Sequence, residues 1–188
     1  MSWDVYHHKN TSAPETDSLV LNTPAATSDA AGPWNDTAPT STVISSQSGH
    51  LNTDVAQIAY CWHGIQGFSK FGSYTGNGNA DGAFVYTGFR PAFLLVKQPA
   101  DGTGNWIIHH NKNEGYNVTT QKVYTNRNLA ESNEDFDNGS ATMGVDFLSN
   151  GFKWRVTSGE VNSTAGCIYV AFAEAPFVNS NGVPCNAR

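Results

Sequence analysis

The stretch Cys-Ile-Tyr-Val-Ala-Phe (residues 167–172) decides the fold, because it carries large side chains at alternate positions, Ile168, Val170 and Phe172. Alternation with a period of two indicates a β-strand that buries one face. Gln-Ile-Ala-Tyr-Cys-Trp at residues 57–62 has the same alternation, at an offset of 167 − 57 = 110 residues. The sequence therefore predicts two related strands, one in each half of the chain.

Two further matches precede these strands in the same order. Trp-Asp-Val-Tyr-His at residues 3–7 matches Trp-Ile-Ile-His-His at residues 106–110, an offset of 106 − 3 = 103. Leu-Val-Leu-Asn at residues 19–22 matches Val-Tyr-Thr-Asn at residues 123–126, an offset of 123 − 19 = 104. Because the order is preserved and the offset changes only by small insertions, we interpret the chain as an internal duplication.

The duplication predicts a truncated first copy at residues 1–67, a complete second copy at 68–177 and an extended C-terminal tail at 178–188. The first copy begins at Trp3, so it has no counterpart of residues 84–97. A sheet that lacks a strand leaves backbone donors and acceptors unpaired at an edge. We expect either that the two copies merge into one pair of sheets or that a neighbouring chain completes the first copy.

The remaining pattern is that of an all-β chain. Phe-Leu-Leu-Val-Lys at residues 93–97 predicts a strand buried on both faces, and Ser-Asn-Gly at 149–151 predicts a hairpin with a type I′ turn. Gly, Asn, Ser and Thr are frequent between such runs, and only residues 129–131 suggest a helical turn. Strands separated by turns, without helical crossovers, favour an antiparallel β-sandwich.

Charge and composition argue against several classes of partner. The net charge is −6 with only ten Lys and Arg, so no basic stripe is available for nucleic acid. No apolar run approaches the roughly 18 residues needed for membrane insertion, and the N-terminus lacks the pattern of a signal peptide. Cys61, Cys167 and Cys185 have no CxxC spacing, and we expect the first two to be buried thiols in a protein made in a reducing cytoplasm.

A candidate carbohydrate site lies at Trp34, Asn35 and Asp36. Sugars are held by aromatic platforms together with Asn and Asp side chains, and this loop combines both. The alternative interpretation is that Trp34 covers the end of the sandwich core.

A candidate calcium site lies at Asn77, Asn79 and Asp81, where oxygen ligands alternate before Gly82 as in a calcium loop. Position 12 of such a loop needs a bidentate Glu, and here it falls on Gly88. A hairpin turn explains the segment equally well. Apart from this calcium, no cofactor is expected.

Two other groups could hold a metal in principle. The pairs His7-His8 and His109-His110 supply imidazoles, but adjacent residues of a strand point to opposite faces, so a site needs one histidine from each copy. The acidic stretch at residues 131–137 carries four carboxylates, for which a solvated loop is the simpler interpretation.

Glycan hydrolysis uses a pair of carboxyl groups as catalysts. The candidates are Asp146, Glu160 and Glu174, and none lies in a distinctive motif. No nucleophile elbow or phosphate loop is present. The sequence therefore predicts a non-catalytic protein, with a glycan-degrading enzyme as the remaining alternative.

Six motifs carry a resemblance that covers residues 3–177. They are Trp-x-Val-Tyr-His (3–7), Leu-x-Leu-Asn-Thr (19–23), Trp-Asn-Asp-Thr-Ala-Pro-Thr-Ser (34–41), Gly-Phe-x-Pro-x-Phe-Leu-Leu-Val-Lys (88–97), Asp-Phe-Leu-Ser-Asn-Gly-Phe-Lys (146–153) and Tyr-Val-Ala-Phe-Ala-Glu-x-Pro-Phe (169–177). Together they resemble the uncharacterised tandem module of virion proteins of environmental, marine tailed phages, often tail-fibre-like ones. The resemblance implies a β-sandwich of jelly-roll or lectin-like type and a virion location, and it carries over no catalytic residues.

From this resemblance we expect a phage virion structural protein, either a tail-fibre segment or a capsid decoration protein. Its expected partners are other virion proteins and copies of itself in a homo-oligomer. The alternative is a lectin-like module that binds a glycan or receptor on the host surface.

Overall fold

A computed structural model describes residues 2–29, 32–47, 49–50, 56–100, 102, 104–133 and 143–175. Within these ranges the backbone forms short strands in three antiparallel sheets, with little helix. The predicted all-β, antiparallel sandwich is therefore confirmed. None of the helices in these ranges is long and apolar enough to cross a membrane. The predicted tail at residues 178–188 lies outside the described residues.

The secondary-structure elements follow one another along the chain from a first short strand to a long last one. They are β1 (Asp4–Val5), a 3-10 turn (Pro14–Thr16), β2 (Asp17–Val20), β3 (Ser28–Asp29), β4 (Ser69–Tyr74), β5 (Phe84–Tyr86), β6 (Pro91–Lys97), β7 (Trp106–His110), β8 (Val123–Tyr124), β9 (Val145–Leu148), β10 (Gly151–Trp154), α1 (Gly159–Asn162) and β11 (Cys167–Ala173).

The main sandwich consists of two sheets from the second half of the chain. A five-stranded sheet in the order β4-β11-β6-β7-β8 packs against a three-stranded sheet in the order β5-β10-β9. Alternate residues of each strand fill the space between them, including Leu94 and Val96 from β6 and Phe152 and Trp154 from β10, all fully buried. This inner core forms because the period-two pattern directs one row of apolar side chains from each strand inward.

The third sheet, in the order β1-β2-β3, packs on the opposite face of the five-stranded sheet. Leu19 of this sheet is buried against Trp106 and Ile168. Two side-chain hydrogen bonds to backbone carbonyls also link the layers: Trp106 Nε1 donates to Val20 at 2.9 Å, and Thr125 Oγ1 donates to Leu21 at 3.0 Å. The described strands of the first copy thus form a sheet of their own, and they do not add strands to either of the two sheets of the second copy.

The strands matched by the duplication pair in the same register. Asp4↔Val20 and Val5↔Leu19 in β1 and β2 correspond to Ile107↔Tyr124 and Ile108↔Val123 in β7 and β8. A side-chain bond also recurs, because the Trp3 N–H donates to Asn22 Oδ1 at 3.0 Å and the Trp106 N–H donates to Asn126 Oδ1 at 2.9 Å. Because a slip of one residue would invert every side chain, a shared register is a specific similarity between the two strand pairs.

Three local predictions differ from the structure. Residues 57–62 belong to no strand. Residues 129–131 are not helical, and the helical turn lies at α1, where Ser158 Oγ accepts a hydrogen bond from the Glu160 N–H at 3.3 Å. The hairpin at 149–151 forms, but without the positive φ angles of a type I′ turn.

Gly151 in this hairpin is required for a different reason. A Cβ atom at this position would lie 2.1 Å from the backbone oxygen of Val85. The glycine therefore allows β5 to approach β10 closely.

Candidate functional site

Trp34 of the candidate carbohydrate loop is buried, with only 6% of its surface exposed. Its Nε1 donates a hydrogen bond to the Asp17 carbonyl at 3.0 Å, and its ring packs edge-on against Tyr6 with 5.7 Å between the centroids. Asn35 and Asp36 are exposed in a turn with φ angles of 52° and 47°. The structure therefore places Trp34 inside the first copy, where its ring offers no open face to a sugar.

The side chains of Asn77 and Asn79 close a turn. Asn77 Oδ1 accepts from the Asn79 N–H at 3.0 Å, and Asn79 Oδ1 accepts from the Asp81 N–H at 3.1 Å. The buried side chain of Asn162 holds the turn from below, because its Nδ2 donates to Asn77 Oδ1 at 3.1 Å and to the Asn79 carbonyl at 2.8 Å. Both candidate amide oxygens are thus already engaged in hydrogen bonds within the protein.

Asp81, the third residue of the candidate calcium site, faces two cations. Lys153 Nζ lies 2.7 Å and Arg155 Nη1 lies 3.1 Å from Asp81 Oδ1. The hydrogen bond and charge of Lys153 lower the pKa of the Asp81 carboxyl, with a further contribution from Arg155. Two positive charges at this carboxylate oppose the approach of a divalent cation. Within the described ranges, no group of three or more His, Cys, Asp or Glu side chains could hold a metal ion.

His7 and His8 are closer together than strand alternation predicts. Their rings stack with 5.3 Å between the centroids, because β1 ends at Val5 and a turn follows. His7 is buried, and its Nε2 lies 3.1 Å from the Tyr169 carbonyl oxygen. Burial lowers the pKa of His7 to about 4, which keeps its ring neutral at physiological pH.

His109 and His110 follow the predicted alternation. His109 is fully buried, with its ring edge-on to Trp154 at 5.6 Å between the centroids. Burial, together with a smaller effect of the nearby positive charge of Lys122, lowers the pKa of His109 to about 3. His110 is half-buried on the other face, and its Nδ1 accepts a hydrogen bond from the Lys112 N–H at 3.3 Å. His109 is therefore a neutral core residue.

The three candidate catalytic carboxylates have different partners. Asp146 Oδ2 accepts from Arg155 Nε at 2.6 Å, Glu160 Oε1 accepts from Asn105 Nδ2 at 2.6 Å, and Glu174 Oε2 lies 3.2 Å from Arg90 Nε. These contacts connect neighbouring strands and loops, and none of them joins two of the three carboxylates. Of the acidic stretch at 131–137, residues 134–137 lie outside the described part of the chain.

The cysteines divide into two environments. Cys167 is buried, as expected, and burial raises the pKa of its thiol to about 11. Cys61 is exposed, contrary to expectation, because its segment forms no strand. Cys185 lies outside the described residues.

In the described part of the first copy, three exposed aromatic rings form a set that we name the aromatic cluster: Trp3, Tyr60 and Trp62. These side chains are 49%, 63% and 62% exposed. The Trp3 and Tyr60 rings stack with 6.3 Å between their centroids, and the Tyr60 and Trp62 rings stack with 6.0 Å between theirs. Ile58, one strand repeat before Tyr60, is 72% exposed. Contiguous exposed apolar side chains of this kind are typical of interaction surfaces.

Sequence reasoning did not identify the aromatic cluster as a site. The alternation at residues 57–62 predicts a strand with one buried face. The signal in the sequence that could have found the cluster is the row of large apolar residues itself, Ile58, Tyr60 and Trp62, which becomes an exposed surface where no strand forms.

Comparison with known proteins gives one match. No curated protein and no solved structure matches the chain. The model of the family described as "Domain of unknown function (DUF7483)" matches residues 1–176. Because the match covers the three sheets described above, the chain belongs to this family.

Proposed function

We propose that this protein is a non-catalytic structural protein of a tailed-phage virion, either a tail-fibre segment or a capsid decoration protein. In this role it binds other virion proteins and further copies of itself. The motif resemblance over residues 3–177 supports the virion location, and the aromatic cluster supports assembly.

The aromatic cluster is the observation that carries this proposal. Ile58, Tyr60 and Trp62 lie in one segment, and each side chain is more than 60% exposed. Exposure of such large apolar side chains to water is unfavourable in free energy. Binding of a partner would remove these side chains from water and recover that free energy. Aromatic residues are enriched in the buried centres of protein interfaces, which agrees with the composition of the cluster.

Glycan binding on the host surface is the second candidate function. The exposed rings of Tyr60 and Trp62 favour it, because the C–H faces of sugars pack on aromatic rings. This hypothesis moves the candidate site from Trp34 to the aromatic cluster. Binding to a host glycan array, lost in Trp62→Ala and retained in Tyr116→Ala, would support this function. Tyr116 is a suitable control because its side chain is 72% exposed and belongs to the second copy.

Immunogold electron microscopy of purified phage particles tests the main proposal. An antibody raised against the recombinant chain is applied to particles of the phage that encodes it, and competition with free chain provides the control. Gold over the head would identify a capsid decoration protein, and gold along the fibres would identify a tail-fibre segment. Unlabelled particles, in which mass spectrometry also finds no peptide of this chain, would contradict the proposal.

A further inference from the structure

His7 lies where the first-copy sheet (β1-β2-β3) meets the five-stranded sheet. Its ring is buried, and its Nε2 lies 3.1 Å from the Tyr169 carbonyl oxygen in β11. Its Nδ1 accepts a hydrogen bond from the Lys9 backbone N–H at 3.2 Å. Because a carbonyl oxygen only accepts and a backbone N–H only donates, Nε2 must carry a proton and Nδ1 must not. The contacts of His7 therefore require a neutral ring.

The local half of this arrangement recurs in the second copy. His110 corresponds to His7 at an offset of 110 − 7 = 103, and its Nδ1 accepts from the Lys112 N–H at 3.3 Å. His110 is half-buried, whereas His7 is only 6% exposed. The bond to the next residue but one is thus common to both copies, and the deeper burial of His7 agrees with its position between the two layers.

Protonation of the His7 ring disrupts this arrangement, because an imidazolium has two donors and no acceptor. The bond from the Lys9 N–H is then lost, and a positive charge lies buried between the layers. His8 adds to the effect, since its ring stacks on His7 with 5.3 Å between the centroids and a second proton places two cations side by side.

The pKa values of the two histidines agree with this geometry. Burial lowers the pKa of His7 to about 4, against the opposing effect of the Tyr169 carbonyl, and the charge of His8 lowers it as well. Burial and the charge of Lys9 lower the pKa of His8. From the other layer, the Tyr169 phenol brings no charge, because burial raises its pKa to about 12. Both rings are therefore neutral in the closed state near pH 7.

The first-copy sheet can leave the main sandwich without breaking a β-ladder. Its described strands pair among themselves and not with the five-stranded sheet. The apolar cluster between the layers has Leu19, Trp106 and Ile168 as its buried members, and side-chain bonds from Trp106, Thr125 and Lys97 to first-copy carbonyls add to it. The main sandwich has a separate core of its own. Separation of the layers therefore costs less free energy than unfolding of the whole chain.

We propose that His7 and His8 form a pH-sensitive switch at this contact: protonation of the pair releases the first-copy sheet from the five-stranded sheet while the main sandwich stays folded. The open state exposes the apolar face that carries Trp106 and Ile168. This inference concerns the folded chain itself and does not depend on what the protein binds.

The direction of the pH dependence follows from the two states of His7. In the closed state its pKa is about 4, and in the open state the ring lies in water with the ordinary pKa of 6.5. Between these values the open state binds a proton that the closed state does not, so opening becomes more favourable as the pH falls. The opening equilibrium rises about tenfold per pH unit, roughly 300-fold from pH 6.5 to 4. His109 lies in the main core beside Trp154, so it reaches water only when the sandwich itself unfolds.

Two indole N–H groups of the same chain distinguish opening from unfolding. Trp106 Nε1 donates to the Val20 carbonyl across the layers at 2.9 Å, whereas Trp154 Nε1 donates to the Tyr74 hydroxyl at 2.7 Å inside the main sandwich. Their hydrogen exchange is followed by NMR between pH 7 and 4, and each rate is divided by that of a free indole at the same pH. We expect Trp106 to exchange faster than Trp154 throughout, with an opening equilibrium that rises about tenfold per pH unit below 6.5.

The variant His7→Gln tests the assignment of this dependence to His7. Glutamine keeps an N–H that can donate to the Tyr169 carbonyl and an oxygen that can accept, but it does not titrate. His110→Gln is the matched control, because it makes the same change at the equivalent, half-buried position of the second copy. We expect Trp106 exchange to lose most of its pH dependence in His7→Gln and to keep it in His110→Gln.

Three results would overturn the switch. The first is equal protection of Trp106 and Trp154 in the unmodified chain, which would mean that the layers separate only when the whole chain unfolds. The second is constant protection of Trp106 from pH 6.5 to 4. The third is a pH dependence of Trp106 exchange in His7→Gln as steep as that in the unmodified chain. The first two results need no variant, so they decide the question even if His7→Gln does not fold.

Discussion

Trp106 and Val20 are joined by a hydrogen bond across the two layers of the molecule, because the indole Nε1 of Trp106 donates to the Val20 carbonyl at 2.9 Å. Trp106 lies in β7 and Val20 lies in β2, so this bond connects the two copies of the duplication. The indole is 2% exposed and packs on Leu19. The pair therefore fixes the position of the first copy on the second.

Trp106→Phe is expected to loosen this contact. The substitution keeps an aromatic ring but leaves the half-buried Val20 carbonyl without its donor, which costs about 1 kcal/mol. Urea unfolding measures the loss. Trp62→Phe is the control, since Trp62 is exposed and its replacement should change the free energy of unfolding by less than about 0.5 kcal/mol. Equal effects of the two substitutions would contradict the assigned role of Trp106.

Asn162 is expected to be the most important residue of the turn at residues 77–81. Its fully buried Nδ2 donates to Asn77, Asn79 and the Val156 carbonyl, and its Oδ1 accepts from the Asn77 N–H at 3.0 Å. Asn162→Ala removes all four bonds and should destabilise the protein by about 3 kcal/mol. Asn79→Ala removes only an exposed turn contact and should cost less than about 1 kcal/mol. Thermal unfolding of both variants checks the difference, and similar melting temperatures would refute it.

Calcium is expected to leave the stability unchanged. Asp81 is already paired with Lys153 and Arg155, and the oxygens of Asn77 and Asn79 accept hydrogen bonds within the turn. A specific site at a hundredfold excess of calcium over its Kd would stabilise the protein by about 2.7 kcal/mol. Melting temperatures in calcium and in chelator should coincide. A melting temperature that is higher in calcium than in chelator, with no such difference in the Asp81→Asn variant, would support the calcium site instead.

His109 is expected to make stability depend on pH in the acid range. Its folded pKa of about 3 lies below the ordinary histidine pKa of 6.5, so between these values the unfolded chain binds the proton and the folded chain does not. Stability therefore falls as the pH decreases from 6.5 toward 3, by about 1.4 kcal/mol for each pH unit. His7 contributes in the same direction down to about pH 4.

The variant His109→Phe isolates this contribution, because phenylalanine fills the site beside Trp154 without titrating. Urea unfolding at several pH values should give a shallower slope for the variant between pH 6.5 and 4 than for the unmodified chain. At pH 7 the ring is neutral in the folded state, so the comparison there measures packing alone. Parallel slopes across the acid range would show that His109 does not carry the pH dependence.

The sequence was sufficient to predict the fold where alternating residues have a strand beside them. The strand at residues 167–172 and the hairpin around 149–151 follow from local pattern, since period two and turn residues act over a few positions. The same alternation at 57–62 predicts a strand that does not form. A strand needs a neighbour for its backbone bonds, and whether a neighbour exists is a property of the whole sheet.

The candidate sites were less predictable than the strands, because the accessibility of a loop side chain depends on which distant residues contact it in the folded chain. Trp34 has the composition of a sugar platform, yet its indole is turned inward to Asp17. Asp81 has the spacing of a calcium ligand, yet β10 brings Lys153 beside it. Neither contact leaves a signal in the sequence around the residue, because each partner comes from a distant segment of the chain.

The most direct test of the central claim is hydrogen exchange of this chain inside purified phage particles, compared with the free chain. If the protein is a virion component that assembles through the aromatic cluster, residues 56–64 should exchange rapidly in the free chain and at least about tenfold more slowly in the particle. The exposed residue Tyr116 provides an internal reference in the same peptide map. Equally rapid exchange of residues 56–64 in both states, or a particle that lacks the chain, would contradict the account.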